Sequence, residues 1–164
     1  MQKQEAEKQF EQHIKVNELL IYKVCRMYAY TAVDREDLFQ EIVIQLWKAY
    51  PKFRGESKFS TWLYRVALNT AITGLRKKKD FIESPEPSQL PEGISDENTD
   101  REDELVQLHQ AIGQLNQVEK AIVMLYMEDK TYEEMEEIMG MNQGNLRVKM
   151  NRVKEKLRQL TKHN

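Results

Sequence analysis

The chain has 164 residues, room for one domain or two small ones, and its apolar residues suffice for small helical cores rather than one large core. With 4 Pro and 6 Gly among abundant helix formers, an all-α fold is expected. The formal net charge is −2 and the single cysteine, Cys25, fits a reducing, cytoplasmic compartment; no apolar run approaches the length of a membrane span and the first ten residues are polar, so neither a membrane insertion nor a leader is expected.

Three helices are predicted in the first half. One runs from about Gln4 to Tyr30 on a stripe of Phe10, Ile14, Ile21, Val24 and Tyr28. Cys25 falls inside this pattern and reads as a buried structural thiol. A second helix opens at Asp34 as cap and ends before Pro51. Leu38, Ile42, Leu46 and Ala49 face one way, widened by Phe39, Val43, Trp47 and Tyr50. The other face holds Asp37, Gln40, Glu41, Gln45 and Lys48 around Ile44, which suits either a solvated surface or a protein contact. The loop PKFRGES follows, where Pro51 and Gly55 fix an irregular backbone. A third helix runs from Ser57 or Ser60 to Lys79 with Phe59, Trp62, Leu63, Val66 and Thr70 inward. Phe53, Arg54, Trp62 and Tyr64 put rings and charge around one rigid corner, as an unstacked base requires; the same rings also fit a core.

From about Asp80 to Asp103 the pattern breaks. Pro85, Pro87, Pro91 and Gly93 stand among acids and small polar residues, which reads as a flexible linker. Beyond it, Leu105, Leu108, Ile112 and Leu115 mark a fourth helix, and Asn116 with Glu119 forms a capping box for a fifth containing Val118, Ile122 and Leu125. The expected organisation is thus a helical unit over residues 1–80, an acidic linker over 81–104 and a second helical unit over 105–164.

The second unit ends on a helix-turn-helix pattern. Thr131 with Glu134 caps a short helix, Gly140 stops it, and Asn142 caps the next. Leu146, Met150, Val153, Leu157 and Leu160 then form a narrow apolar stripe. Gly144, Asn145, Arg147, Val148, Asn151 and Arg152 occupy the opposite face, while Lys149 and Lys156 flank the stripe within reach of phosphates. Charge follows the same division. Residues 61–79 carry five basic groups and no acid, residues 80–104 carry ten acids against one Arg, and residues 141–164 carry seven basic groups against one acid. Two basic patches separated by acidic segments point to two nucleic-acid contacts. A basic amphipathic helix with a solvated face is the plainer alternative.

The blocks DREDLFQEIVIQLWKAYPKFRGESKFSTWLYRVALNTA and LNQVEKAIVMLYMEDKTYEEMEEIMGMNQGNLRVKMNRVKEKLRQL resemble, in order, regions 2 and 4 of bacterial sigma factors. The short chain resembles the extracytoplasmic-function group of the sigma-70-type family. The resemblance implies a non-enzymatic, dissociable subunit of core RNA polymerase that binds promoter DNA without a cofactor, and it is compatible with an anti-sigma partner. It gives Asp37, Leu38, Gln40, Glu41 and Ile44 a role in docking on the polymerase. Phe53, Ser57, Trp62, Arg65 and Asn69 would capture and melt the −10 element. Asn145, Arg147, Val148, Lys149, Asn151 and Arg152 would read the −35 element. Two positions depart from the family pattern. Glu136 stands where a small residue is usual, so its carboxylate either reaches solvent or a basic partner, or the two helices cross differently. Thr73 and Gly74 stand where an acid is frequent. A dimeric repressor or activator reading a palindrome and a protein-binding adaptor are the competing readings. An enzyme fits least, because His13, His109 and His163 are scattered.

Overall fold

A computed structural model describes the backbone of residues 2–81 and 100–162 and the side chains of 2–74 and 102–162. These residues form eight α-helices and one 3-10 turn, with no strand among them. The chain divides into two compact units, Met1–Lys78 and Lys79–Asn164.

The first unit contains α1 (Gln2–Val16), α2 (Glu18–Tyr28), α3 (Ala32–Ala49), a 3-10 turn at Tyr50–Lys52, and α4 (Phe59–Phe81) up to the unit boundary. Its core joins Ile21, Val24 and Cys25 of α2 to Ile42 and Leu46 of α3 and to Leu63, Tyr64, Ala67 and Ala71 of α4, all fully buried. Each large aliphatic side chain buried there contributes about 1.5–3 kcal/mol of transfer free energy. Burial pushes the Cys25 thiol up to about 12, against a smaller pull from the Arg35 charge, so this cysteine is a core residue. Arg35 also clamps the α2–α3 corner, donating from Nε to the Ala29 carbonyl at 3.2 Å and from Nη2 to that of Tyr30 at 3.0 Å.

Three local expectations are corrected in this unit. The single helix predicted from Gln4 to Tyr30 is two, because Asn17 leaves helical geometry at ψ 15° and its side-chain amide bonds back to the His13 carbonyl at 2.8 Å. The cap of α3 is Thr31, whose hydroxyl accepts from the Asp34 N–H at 3.1 Å; Asp34 itself lies in the first turn. The inward stripe of α4 is Leu63, Tyr64, Ala67, Leu68 and Ala71, with Thr61, whereas Phe59, Trp62, Val66 and Thr70 are only half-buried.

The acidic segment expected as a linker falls mostly on residues 82–99, outside the described residues; α4 continues to Phe81 and α5 begins at Asp100. The second unit contains α5 (Asp100–Gly113), α6 (Gln117–Met127), α7 (Tyr132–Met139) and α8 (Gln143–Lys162). Ala111, Ile112, Leu115, Ala121, Ile122 and Leu125 are buried in its core, with Met135 and Ile138 of α7 and Leu146, Met150 and Val153 of α8. Leu105, expected in the apolar stripe of its helix, is 51% exposed. The capping box of α6 forms as predicted: Asn116 Oδ1 accepts from the Glu119 N–H at 2.8 Å and Glu119 Oε1 from the Asn116 N–H at 3.0 Å.

Candidate nucleic-acid interfaces

The α7–α8 pair is set by polar side chains and one glycine. The Thr131 hydroxyl accepts from the Glu134 N–H at 3.1 Å, and the Glu134 carboxylate accepts in return from the Thr131 N–H at 3.4 Å. That backbone donor holds the Glu134 carboxyl below its ordinary value of 4.5, with Lys130 at 3.6 Å adding to the effect. Gly140 ends α7 at φ 71°, a conformation that strains any residue with a Cβ, although no neighbour crowds the position. Asn142 then caps α8, its Oδ1 accepting from the Asn145 N–H at 2.8 Å.

The caps and the stripe of Leu146, Met150 and Val153 together fix which face of α8 points outward. Asn145, Arg147, Val148, Asn151 and Arg152 are exposed, Val148 at 48%, and Lys149 is half-buried at their margin. All six expected reading residues therefore share one side of the helix or its edge. Arg147 is also held: its guanidinium lies 4.9 Å over the Tyr132 ring at the start of α7. Lys156, expected to flank the stripe with a reach to phosphates, is ion-paired to Glu119 of α6 at 3.2 Å, and Lys154 lies 4.7 Å over the Tyr126 ring.

The first unit presents a different surface. Its loop between the 3-10 turn and α4 bends at Gly55, φ 73°. Seven rings converge beside that loop. Phe10 contacts Trp47 at 5.0 Å and Tyr50 at 5.3 Å; His13 stacks on Phe59 at 4.2 Å; Trp62 touches Phe53 at 5.1 Å, Phe59 at 5.3 Å and Tyr50 at 6.4 Å. Both readings of Phe53 and Trp62 thus have a basis here. Each ring is wedged among others, yet each is only half-buried and keeps part of its surface outward. From Trp62, the exposed Arg65 and Asn69 follow at helical spacing on the same side of α4, and Ser57 is half-buried in the loop. The side chains of the Arg76–Lys79 run lie outside the described residues.

On α3, Asp37, Gln40, Glu41 and Ile44 are exposed together, with Leu38 half-buried beside them. Ile44 is 47% exposed, and the Gln45 amide donates to the Glu41 carboxylate at 2.9 Å. Trp47 stands one turn along and joins this face to the ring cluster.

Three contributors lie outside the expected set. His13 belongs to the ring cluster, and its signal is the Phe10–His13 spacing on one helical face. Tyr132 supports Arg147, and nothing in its helix-start position foretells that. Glu136, unusual in size for its position, is half-buried, and its Oε2 accepts from the backbone N–H of Gln143 at 3.0 Å, a main-chain partner that the sequence reading did not include.

The family model for Sigma-70 region 2 matches residues 14–81 and that for Sigma-70, region 4 matches residues 105–157. RNA polymerase sigma-H factor of Pseudomonas aeruginosa is 31% identical over 141 residues, 78% of this chain and 73% of that one. The chain belongs to the sigma-70 family, in its extracytoplasmic-function group. ECF RNA polymerase sigma factor SigG of Mycobacterium tuberculosis is 39% identical over 74 residues, which is 45% of this chain and only 18% of SigG. The sigma factor RpoE, solved with the anti-sigma factor NepR from Bartonella quintana, shares the fold with a TM-score of 0.75 at 18% identity, over 94% of this chain and 98% of that one. The exposed face of α3 and the ring cluster, apart from Phe10 and His13, therefore lie in the region 2 match, and α7 with α8 up to residue 157 lies in the region 4 match. No helix among the described residues of this sigma-70 family chain is long and apolar enough to cross a membrane.

Proposed function

We propose that the chain is a cytoplasmic, non-catalytic specificity subunit that binds core RNA polymerase and directs it to promoters carrying matched −10 and −35 elements. The observation that carries this is the pairing of a region 2 match with a region 4 match in one short chain, each on a unit with an outward polar or aromatic surface. In this reading residues 1–80 dock on polymerase and handle the −10 element, 81–104 tether, and 105–164 handle the −35 element.

Asp37, Gln40, Glu41 and Ile44, edged by Leu38, form the polymerase-docking face. Four of them are exposed without a covering element in their own unit, and the mixture of acids with one aliphatic suits a protein partner. Phe53 and Trp62 offer partly exposed ring faces on which an unpaired base can stack; Ser57, Arg65 and Asn69 would then bond the base edge or its phosphate, which is supported by the exposure of Arg65 and Asn69 on the Trp62 side of α4. Asn145, Arg147, Val148, Asn151 and Arg152 read the −35 element in the major groove, and Lys149 contacts its backbone. An anti-sigma protein is a compatible partner, since the structural neighbour RpoE was solved with one.

Transcription in vitro with core polymerase and a genomic promoter library tests the whole reading. Expected are transcripts that depend on this chain and start at a shared distance from two short elements. Transcripts independent of the chain, or binding sites with two-fold symmetry, would overturn it.

A further inference from the structure

Glu136 joins the two helices of region 4 through both its main chain and its side chain. Its carbonyl accepts from the Gly140 N–H at 2.8 Å, which closes α7. Its carboxylate accepts from the Gln143 N–H at 3.0 Å, the first donor of α8. Asn142 takes the Asn145 N–H two residues on. A small side chain at position 136 would leave the Gln143 amide to water or to an incoming anion. The N-terminal end of a helix carries a partial positive charge and open amides, which is why phosphates settle there. In a helix-turn-helix this same end of the second helix enters the groove while the first crosses the DNA backbone.

We propose that Glu136 is a positioning and specificity-determining residue of this chain. It fixes the start of α8 against α7, and by filling the anion-accepting end of α8 with its own carboxylate it weakens the sequence-independent, phosphate-driven part of DNA binding. The discrimination between a matched and an unmatched −35 element then rests more on the side chains of the exposed α8 face. Arg147, parked on Tyr132, is the second point at which α7 holds α8. This inference rests on the reading of α8 as the −35 helix.

The test uses holoenzyme reconstituted from the full chain and core polymerase. Occupancy is measured across a salt series on a promoter found by the transcription experiment and on the same promoter with its −35 element scrambled. Glu136→Gln keeps an oxygen that can accept from Gln143 and removes the charge. It should retain wild-type helicity and raise occupancy of the scrambled promoter about threefold or more at low salt, a gain that fades at high salt. Glu136→Ala loses acceptor and charge, so matched occupancy should fall while scrambled occupancy rises. Wild-type occupancy of the scrambled promoter by Glu136→Gln at every salt concentration would overturn the proposal, even if Glu136→Ala failed to fold. If scrambling has no effect on the wild-type holoenzyme, the −35 assignment of α8 fails first, and that result is distinct.

Discussion

Region 4 and region 2 hold their exposed surfaces in opposite ways. In region 4 the outward face of α8 is set by short-range hydrogen bonds: Thr131 with Glu134, Asn142 with Asn145, and Glu136 with Gln143. In region 2 the loop before α4 is set by ring contacts between distant segments, from Phe10 and His13 through Trp47 and Tyr50 to Phe59 and Trp62. Directional bonds between near neighbours fix an angle one residue at a time, so a single side chain can be exchanged without loss of the rest. Ring packing is collective, and removing one ring loosens several others. A helix that must enter a groove in one orientation suits the first device. Under the proposed function, a surface on which an unpaired base stacks suits the second, because its rings are apolar and partly exposed.

This contrast predicts where substitutions will hurt. The largest effect should come from Trp62→Ala, which strips a partner from Tyr50, Phe53 and Phe59 at once. Unfolding of region 2 should become easier by about 2–4 kcal/mol, near the range for large aromatic truncations, and promoter opening should fall more than duplex binding. Denaturant titration and permanganate reactivity of the bubble measure the two. An unfolding midpoint like that of the wild type would mean that the rings do not act together.

Arg147→Ala and Arg152→Ala should each weaken recognition of the −35 element by about 1–3 kcal/mol while leaving stability nearly unchanged. Binding to duplexes with single base changes identifies the position each side chain reads. Equal losses on every sequence would turn a base contact into a phosphate contact.

Thr131→Ala should cost about 1 kcal/mol of region 4 stability through loss of the α7 cap. The same cap gives a pH dependence. The Glu134 carboxyl is held below 4.5 in the folded chain, so its stabilisation is fully present above that ordinary value and is lost as the pH falls through the lowered one. Acid titration followed by circular dichroism should show wild-type α7–α8 helicity weakening in that window, with a smaller change in Thr131→Ala. The smallest effect belongs to Tyr132→Leu, which removes the ring beneath Arg147 and should lower −35 affinity by about 0.5 kcal/mol.

The same division explains what could be read from the sequence. Thr131, Gly140 and Asn142 announce themselves because a cap or a helix stop is a local event with few suitable residue types. The α8 face follows from them and from the apolar stripe. In region 2 the helix count is off by one, since the stripe from Phe10 to Tyr28 keeps its phase through Asn17 and only the backbone shows the break. The face of α4 is rotated for a related reason. Phe59 and Trp62 look like the strongest core residues, yet they serve the ring cluster, and the smaller Ala67 and Ala71 go inside. Glu136 resisted because its partner is a main-chain amide, which no side-chain pattern reveals.

Cys25 offers a practical use of its position. It is the sole thiol of the chain, it has no exposed surface, and burial raises it to about 12. An alkylating reagent at neutral pH should therefore label the chain only when region 2 opens, since an unfolded thiol titrates near the usual ~8.5 and is far more nucleophilic. The labelling rate becomes a clock for region 2 alone, silent to events in region 4, with no engineered residue and no dye in the native fold.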